Sequence, residues 1–378
     1  MRKVKKILLI LISVVTIFEI AIFITGYEYL NKAIWYNFSG IEDYQIFENR
    51  LIRKSNDPDS WSKATIEETQ RKILDEVARK LEDINSVAFL VIHNDSMVYE
   101  KYWEDFGPAS ISNSFSMAKS YVSALIGVAL KKKWIKNLEE PVANYVPHFK
   151  KEELKEIKII DLLTMSSGID WKESYVNPFS ITTRAYYGDD LKEVIEQINY
   201  ETSAGKSFKY LSGNTQVLAF ILMNATGKSL SQLIEEELWQ PMGSENDALW
   251  CLDDQNGIEK AYCCINSNAR DFARLGNLYL HEGNWKGAQL IDSNYVKLST
   301  TAYDYEMKPF EHYGYQWWIL PEYNEGIFYA RGIHGQYIII IPSKKTVVVR
   351  LGRKRMKKSD EVHPDEIHLI IKAITNAF

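Results

Sequence analysis

The sequence has few cysteines, and their spacing suits neither a metal site nor a disulfide framework. Three cysteines occur in 378 residues: Cys263 and Cys264 are adjacent, and Cys251 is separate. An odd number defines no paired framework, so the redox state of the three stays open. No Cys-x-x-Cys spacing is present, and His363 and His368 lack the spacing of a zinc pair on a helix. The sequence therefore predicts neither a metal nor another cofactor.

An excess of basic residues is also lacking. Lysine and arginine number 45 against 50 aspartate and glutamate residues, which gives a net charge of −5. No basic face dominates the composition, and this argues against a nucleic-acid partner. With 46% hydrophobic and 25% charged residues, the composition is that of one or two folded domains, and nothing in it indicates disorder.

Two frequent catalytic signatures are missing as well. No Gly-x-Ser-x-Gly occurs, which argues against the nucleophile elbow of an α/β-hydrolase. Gly227-Lys228-Ser229 is similar to the end of a phosphate-binding loop, but Leu222 stands where that motif needs its first glycine. The segment is therefore not interpreted as a nucleotide site.

The clearest topological signal is an apolar run at the N-terminus. Ile7 to Thr25 are apolar except for Glu19 and a few hydroxyls, and four basic residues precede them. This length is about enough to cross a bilayer, and the basic flank predicts that the N-terminus stays inside. We expect residues 1–26 to anchor the protein in a bacterial cytoplasmic membrane, with the remainder on the periplasmic or extracellular side. A cleaved signal peptide is the alternative, although no small-x-small cleavage site is evident near Thr25.

The patterns after the anchor predict a fold of mixed class. We expect residues 27–84 to form a tether and an N-terminal helix, and residues 85–378 to form the main domain. Runs typical of strands lie near both ends of that domain, at 86–103 and 314–352, and mostly helical patterns lie between them. This arrangement predicts an α+β domain, with one antiparallel sheet flanked by helices and an inserted all-helical region.

Ser116 and Lys119 are the most informative pair of residues. Apolar or small residues at Val122, Leu125 and further helical positions predict a buried helix that begins at this pair. Residues three apart share a helix face, so the hydroxyl and the amine come together there. A lysine that loses water in an apolar setting gives up its proton more easily and can act as the base for a serine nucleophile.

Ser-x-x-Lys by itself is a weak signal, because it occurs at two other places in the chain. Ser60 to Lys63 lies in a polar stretch, and Ser203 to Lys206 lies in a predicted turn. Only Ser116 opens a long apolar helix after a hairpin, so it is the candidate nucleophile.

Five further motifs follow Ser116-x-x-Lys119 along the chain. They are Asp161-Leu-Leu-Thr-Met-Ser-Ser-Gly168, Phe208-x-Tyr210, Trp239-x-Pro241-Met242-Gly243, Arg270-Asp271-Phe272-Ala273-Arg274-Leu275-Gly276 and Arg331-Gly332-Ile333-His334-Gly335-Gln336. With Ser116-x-x-Lys119, their order and rough spacing resemble the serine β-lactamase superfamily, and within it the class C-related esterases and 6-aminohexanoate-dimer hydrolases. The resemblance covers roughly residues 85–375 and implies a β-lactamase/transpeptidase-like fold.

The resemblance implies roles for residues around Tyr210. Tyr210 stands where the family's tyrosine shares protons with the lysine, and a phenol beside an ammonium has its ionised form favoured. The family commonly has asparagine two residues later, where this chain has Ser212, and Asn214 is a candidate to supply the missing hydrogen bonds. Tyr187 lies in a loop that often borders the pocket in relatives, and we expect it to contact substrate.

The last motif departs from the family pattern of Lys-Thr-Gly. Ile333 replaces the lysine that helps to hold the carboxylate of β-lactam substrates, as in several esterase relatives. Gly335 is expected to let the strand approach the substrate, and His334 is a candidate for substrate contact. The backbone N–H groups of Ser116 and Gln336 are expected to form the oxyanion hole.

These features predict a serine hydrolase that forms an acyl-enzyme on a small-molecule ester or a short linear amide. A β-lactamase or D-alanyl peptidase is the alternative within enzymes. A sensor or binding module of the same fold, acylated without turnover, is the third interpretation. The sequence does not define an oligomeric state.

Overall fold

The structure is a computed structural model that describes residues 2–36, 39–323, 325–357 and 362–378. The helices are α1 Arg2–Thr25, α2 Tyr29–Tyr36, α3 Glu68–Glu82, α4 Ala118–Lys131, α5 Ile159–Leu163, α6 Ile181–Tyr187, α7 Leu191–Glu196, α8 Ser212–Thr226, α9 Leu230–Ile234, α10 Ala269–Leu280, α11 Ser293–Ser299 and α12 Asp365–Ala377. The strands are β1 Asn49–Ile52, β2 Ser62–Lys63, β3 Ser86–His93, β4 Ser96–Tyr102, β5 Ser112–Asn113, β6 Ala248–Cys251, β7 Ile265–Ser267, β8 Asn284–Trp285, β9 Ala288–Gln289, β10 Trp318–Ile319, β11 Phe328–Gly332, β12 Gln336–Ile341 and β13 Thr346–Gly352.

The main sheet has seven strands in the order β10-β11-β12-β13-β3-β4-β2. Every pair is antiparallel except β2 with β4, which is parallel. β3 and β4 form the predicted hairpin, and β11 to β13 form the predicted C-terminal strands. The strand expected from Gly314 is shorter than predicted and covers only Trp318–Ile319. The predicted α+β class is confirmed.

Both faces of the main sheet are covered by helices. On one face, Leu90, Ile338 and Val349 belong to a core that also contains residues of α4, α8 and α10. On the other face, Phe89 and Ile339 pack in a second core with residues of α3 and α12. Strands buried on both faces are continuously apolar instead of alternating, which explains the isoleucine run of β12 and the valine run of β13.

A second sheet of four strands, β1-β6-β7-β5, lies beside the nucleophile segment. β1 pairs with β6 and lies within residues 27–84, which the sequence predicts to be a tether and an N-terminal helix. β5 ends at Asn113 and pairs with β7, so the chain entering Ser116 is fixed at this sheet. The expected helical region therefore contains two short strands, β6 and β7, that the sequence analysis missed.

In the part of the chain that the structure describes, α1 is the one unbroken helix long and apolar enough to cross a membrane. An 18-residue window in α1 has a mean hydropathy of 3.0 and is 6% buried. A membrane anchor and a signal sequence share these properties, so both interpretations of the N-terminus remain. At its C-terminal end Ile22 is buried against Tyr29, Leu30, Ala33 and Tyr187.

Candidate active site

Ser116 and Lys119 meet at the start of α4, as the sequence predicts. Ser116 lies in a 3-10 turn, Phe115–Met117, which continues directly into α4. The Nζ atom of Lys119 lies 3.0 Å from the Oγ atom of Ser116. This is hydrogen-bond distance, so Lys119 can exchange a proton directly with the hydroxyl.

The turn that presents Ser116 has an unusual backbone. Phe115 has a φ of +45°, in the left-handed region that a bulky residue rarely adopts. Its N–H donates to Oδ1 of Asn113 at 2.8 Å, and its carbonyl accepts from the hydroxyl of Ser114 at 3.1 Å. Upstream, the N–H of Ser114 donates to the carbonyl of Ile265 in β7. Local hydrogen bonds and the second sheet thus hold the candidate nucleophile in place.

Burial sets the protonation state of Lys119. The side chain is 1% exposed, and besides Ser116 its ammonium position faces the carbonyl of Tyr262 at 2.7 Å. Loss of water lowers the pKa of Lys119 from 10.5 to about 7, and the charge of Glu173 raises it by a smaller amount. A substantial fraction of Lys119 is therefore neutral near pH 7 and able to accept a proton.

Tyr210 lies against the same pair and is fixed on both sides by one residue of the Asp161–Gly168 motif. Nζ of Lys119 is 5.1 Å from the centre of the Tyr210 ring. The carbonyl of Met165 accepts from the N–H of Lys209 at 2.7 Å, and its sulfur accepts from the N–H of Leu211 at 3.4 Å. The ring of Trp318 stacks on Tyr210 at 5.7 Å. The motif thus positions Tyr210, which explains why the two segments occur together.

Tyr210 is held in its neutral form, whereas the sequence predicts that the ionised form is favoured. Burial raises the pKa of Tyr210 well above 10, while a hydrogen bond with Ser116 and the charge of Arg331 lower it less. The sequence argument assumed that a charged Lys119 would favour the phenolate. Because burial acts on both groups, it favours the neutral amine and the neutral phenol. Lys119 is the group suited to accept a proton, and Tyr210 is suited to donate one.

The end of β11 and the start of β12 lie across from the Ser116 turn. A Cβ atom on Gly332 would be 2.3 Å from the carbonyl oxygen of Ser114, so only glycine allows this approach. The side chain of Gln336 turns away and exchanges hydrogen bonds with Gly352. The role of the Gln336 backbone N–H in an oxyanion hole stays a prediction.

Gly335 and His334 face other parts of the molecule. A Cβ atom on Gly335 would collide with the guanidinium of Arg350, so the absence of a side chain here leaves room for Arg350. The expected approach of Gly335 to a substrate stays a prediction. Arg350 donates to the carbonyls of both His334 and Gly335. The His334 ring contacts Phe115 edge-on at 5.3 Å, and its Nε2 lies 2.9 Å from the carbonyl of Ser39. These contacts fix the bend before β12.

With this geometry in view, comparison with known proteins identifies the family. The sequence profile of the beta-lactamase family matches residues 74–371. The chain belongs to the beta-lactamase family. The match begins within α3, eleven residues before the domain boundary expected from the sequence.

Relatives of this beta-lactamase-family protein include several hydrolases. A 6-aminohexanoate-dimer hydrolase of Paenarthrobacter ureafaciens is 27% identical over 299 residues, which cover 74% of this chain and 75% of that protein. A Bacillus anthracis structure provisionally named as the same kind of hydrolase superposes with a TM-score of 0.73 at 22% identity and covers 89% of this chain and 92% of that one. A family VIII carboxylesterase superposes with a TM-score of 0.65 at 15% identity, covering 84% and 99%.

Three residues expected to contact substrate in this family member have other contacts in the structure. Ser212 donates its hydroxyl to Glu173 at 2.7 Å. Asn214 is fully buried, with its Oδ1 atom accepting from Ser167 and its Nδ2 atom near the sulfur of Met165. Tyr187 packs with the end of α1 and with α2. Their roles in substrate binding remain predictions without a supporting contact.

The sequence analysis missed two residues of the site. Glu173 accepts from the N–H and the hydroxyl of Ser212, each at 2.7 Å, and its charge acts on both Lys119 and Tyr210. Tyr262 supplies the carbonyl that faces Lys119, and Cys263 and Cys264, which follow it, form a disulfide with each other. Both residues lie in irregular segments without periodicity, so no local signal identifies them.

One group of side chains in the described part of the chain could hold a metal ion. His312, Glu322 and His363 place one possible ligand atom each within 4.8 Å of the others. Nε2 of His363 is 2.9 Å from Nδ1 of His312, so a direct hydrogen bond between the rings accounts for the pairing without an ion. His363 lies behind Trp318, at 6.4 Å between ring centres, and not beside Ser116.

Proposed function

We propose that this protein is a serine hydrolase that forms an acyl-enzyme on esters or short linear amides. The observation that carries the proposal is the pairing of Ser116 Oγ with a buried Lys119 whose pKa is lowered to about 7. A lysine in this state removes the proton of the serine hydroxyl as the oxygen attacks a carbonyl carbon.

The remaining steps follow from the protonation states. The tetrahedral intermediate carries its negative charge towards the backbone N–H groups of Ser116 and Gln336. The proton taken by Lys119 passes to the leaving alcohol or amine, either directly or through the neutral hydroxyl of Tyr210. Water then attacks the acyl carbon and gives a proton to the amine of Lys119, which is again neutral. The bond to Ser116 Oγ breaks, the carboxylic acid leaves, and the proton on Lys119 returns to the serine oxygen.

The substrate class is supported by the last motif and by the relatives. Ile333 stands in place of the lysine expected to hold a β-lactam carboxylate. The 6-aminohexanoate-dimer hydrolase and the family VIII carboxylesterase are named for a linear amide and for esters. With α1 as an anchor, the hydrolase would act outside the cytoplasm.

A D-alanyl peptidase is the second candidate, and one observation favours it. An Escherichia coli protein provisionally named as a D-alanyl-D-alanine carboxypeptidase is 26% identical over 283 residues, 57% of this chain and 65% of that protein. Release of D-alanine from a cell-wall peptide, without release of p-nitrophenol from p-nitrophenyl butyrate, would place this candidate first.

A fluorophosphonate probe tests the nucleophile. We expect the probe to label the full-length wild-type protein and to add its mass to the peptide that contains Ser116, whereas Ser116→Ala is not labelled. Ser203→Ala is the matched control, because it removes the serine of another Ser-x-x-Lys match at an exposed position. Equal labelling of the wild type and Ser116→Ala would disprove the proposal.

A further inference from the structure

Exposed apolar side chains outside α1 are concentrated on one part of the surface. Among the described residues, eleven large apolar side chains beyond α1 are exposed, and seven of them lie in two segments. We call these seven residues the juxtamembrane surface: Tyr27, Ile34, Trp35, Tyr36, Tyr175, Val176 and Phe179. The other four are spread over distant positions: Leu51, Tyr200, Leu298 and Met307. A clustered apolar patch of this kind marks an interaction site, whereas single exposed residues do not.

The two segments of the juxtamembrane surface meet at the end of α1. The ring of Tyr27 contacts that of Phe179 edge-on, with 5.9 Å between their centres. Trp35 is 83% exposed and Val176 is 92% exposed, so neither finds a partner within the domain. Tryptophan and tyrosine are enriched where a protein crosses the headgroup layer of a membrane. The composition and place of the surface thus match the membrane that would hold α1.

The loop that carries Val176 and Phe179 is a built structure. The hydroxyl of Ser180 donates to the carbonyl of Ser174 at 2.9 Å, and Asn177 accepts from the N–H of Phe179 at 3.0 Å. Polar groups of Ser174, Asn177 and Ser180 are thus bonded within the loop, while the side chains of Val176 and Phe179 are exposed. That distribution suits a contact with lipid, because burial in lipid is favourable for apolar side chains.

The same loop reaches the candidate active site. Glu173 accepts two hydrogen bonds from Ser212, two residues after Tyr210, and its charge acts on Lys119. Phe179 is six positions after Glu173, a span of at most about 22 Å. One short loop therefore has its first residues at the pocket and its last residues beside the membrane helix.

We propose that the juxtamembrane surface rests in the headgroup layer of the bilayer crossed by α1, and that the pocket takes its substrate from that layer. The substrate class is then an amphiphilic ester or amide whose acyl chain lies in the membrane. The substrate part of this inference rests on the proposed hydrolase function, whereas the membrane contact does not depend on it. The carbonyl group of such a lipid lies at the depth of the headgroups, on the side of the molecule where the loop leads from Phe179 to Glu173.

Fluorescence tests the contact without using activity. Cys251 is buried and Cys263 is paired with Cys264, so Val176→Cys introduces a single accessible thiol for the polarity-sensitive dye NBD. In proteoliposomes of full-length protein, we expect NBD at position 176 to be blue-shifted and quenched by lipids with a headgroup nitroxide. In the control, Met307→Cys, the NBD fluorescence should be neither blue-shifted nor quenched. A label at 176 that behaves as in water would overturn the proposal, and so would a blue shift that disappears on dilution with lipid, because it would indicate a second copy as the partner.

Activity tests the substrate class with two esters. The variant Val176→Asp/Phe179→Asp is compared with the control Leu298→Asp/Met307→Asp in proteoliposomes. We expect the first variant to hydrolyse p-nitrophenyl palmitate held in the bilayer at least tenfold more slowly than wild type, because two apolar side chains no longer insert. Hydrolysis of soluble p-nitrophenyl butyrate should stay within twofold. Equal effects on both esters, or none, would overturn the substrate class. If the wild type is inactive on both esters, the hydrolase proposal is overturned, and the substrate class with it. The fluorescence experiment still tests the membrane contact of the juxtamembrane surface in that case.

Discussion

Among the described residues, the two lysines Lys119 and Lys260 are buried, and they differ in what faces them. Lys119 is 1% exposed and Lys260 is fully buried, and burial lowers the pKa of the first to about 7 and of the second to about 8. Nζ of Lys119 faces the hydroxyl of Ser116, whereas Nζ of Lys260 faces the backbone carbonyls of Ala185 and Gly188 at 3.1 and 3.2 Å and lies over the ring of Phe47. Desolvation alone makes a lysine a good base. Only the lysine beside a hydroxyl in the pocket can use that property for catalysis.

The largest expected difference between the two lysines is in turnover. Lys119→Met should reduce kcat/KM on p-nitrophenyl butyrate by about 10²–10⁴-fold, the usual contribution of a general base. Lys260→Met should change it less than threefold, since Lys260 contacts no group of the site. Circular dichroism and the unfolding temperature show whether each variant is folded. Similar losses in two folded variants would contradict the comparison.

Stability against pH should separate the lysines by the size of their pKa shifts. Between pH 10.5 and the lowered pKa, the unfolded chain holds a proton that the native lysine has lost, so native stability falls as the pH falls through this window. From pH 9 to pH 7, Lys119→Met should therefore gain about 2–3 kcal/mol relative to wild type, and Lys260→Met about 1–2 kcal/mol. Denaturant unfolding at both pH values measures this. A difference that is independent of pH in both variants would contradict the lowered pKa values.

The smallest expected effect comes from Glu173, whose charge raises the pKa of Lys119. In wild type, kcat/KM should fall about tenfold per pH unit below pH 7, as Lys119 becomes protonated. Glu173→Gln removes the charge and should move this acid limb to lower pH. Glu152→Gln, at an exposed glutamate, is the control. An acid limb that stays in place, or that moves to higher pH, would show that Glu173 does not act on Lys119.

Much of the fold could be predicted because its signal is local. The apolar runs of β3, β12 and β13 are long, and these strands lie within the predicted strand regions 86–103 and 314–352. β1 and β7 have four and three residues, too few for a periodic pattern. β1 exists because it pairs with β6, about 200 residues later, and nothing near Asn49 records that pairing.

The part of the candidate site formed by residues close together in the sequence could be predicted. Ser116 and Lys119 are three residues apart on one helical turn, so their contact follows from helix geometry. Glu173 and the Tyr262 carbonyl act on Lys119 through the tertiary fold, and a backbone carbonyl has no residue-type signature at all. The ionisation of Tyr210 could not be obtained either, because it depends on burial at positions brought together from separate segments.

Because Phe115 has a positive φ, the reactivity of Ser116 indicates whether the chain is completely folded. A phenylalanine in this conformation costs of the order of 1–3 kcal/mol, so the turn does not persist in a chain whose surroundings are loose. It is maintained by Asn113, by Ser114 and by the β7 carbonyl that accepts from Ser114. A partly packed intermediate with its helices already formed would still present Ser116 in the wrong direction. During refolding, reactivity of Ser116 should thus return with the last packing step, later than the recovery of helical content.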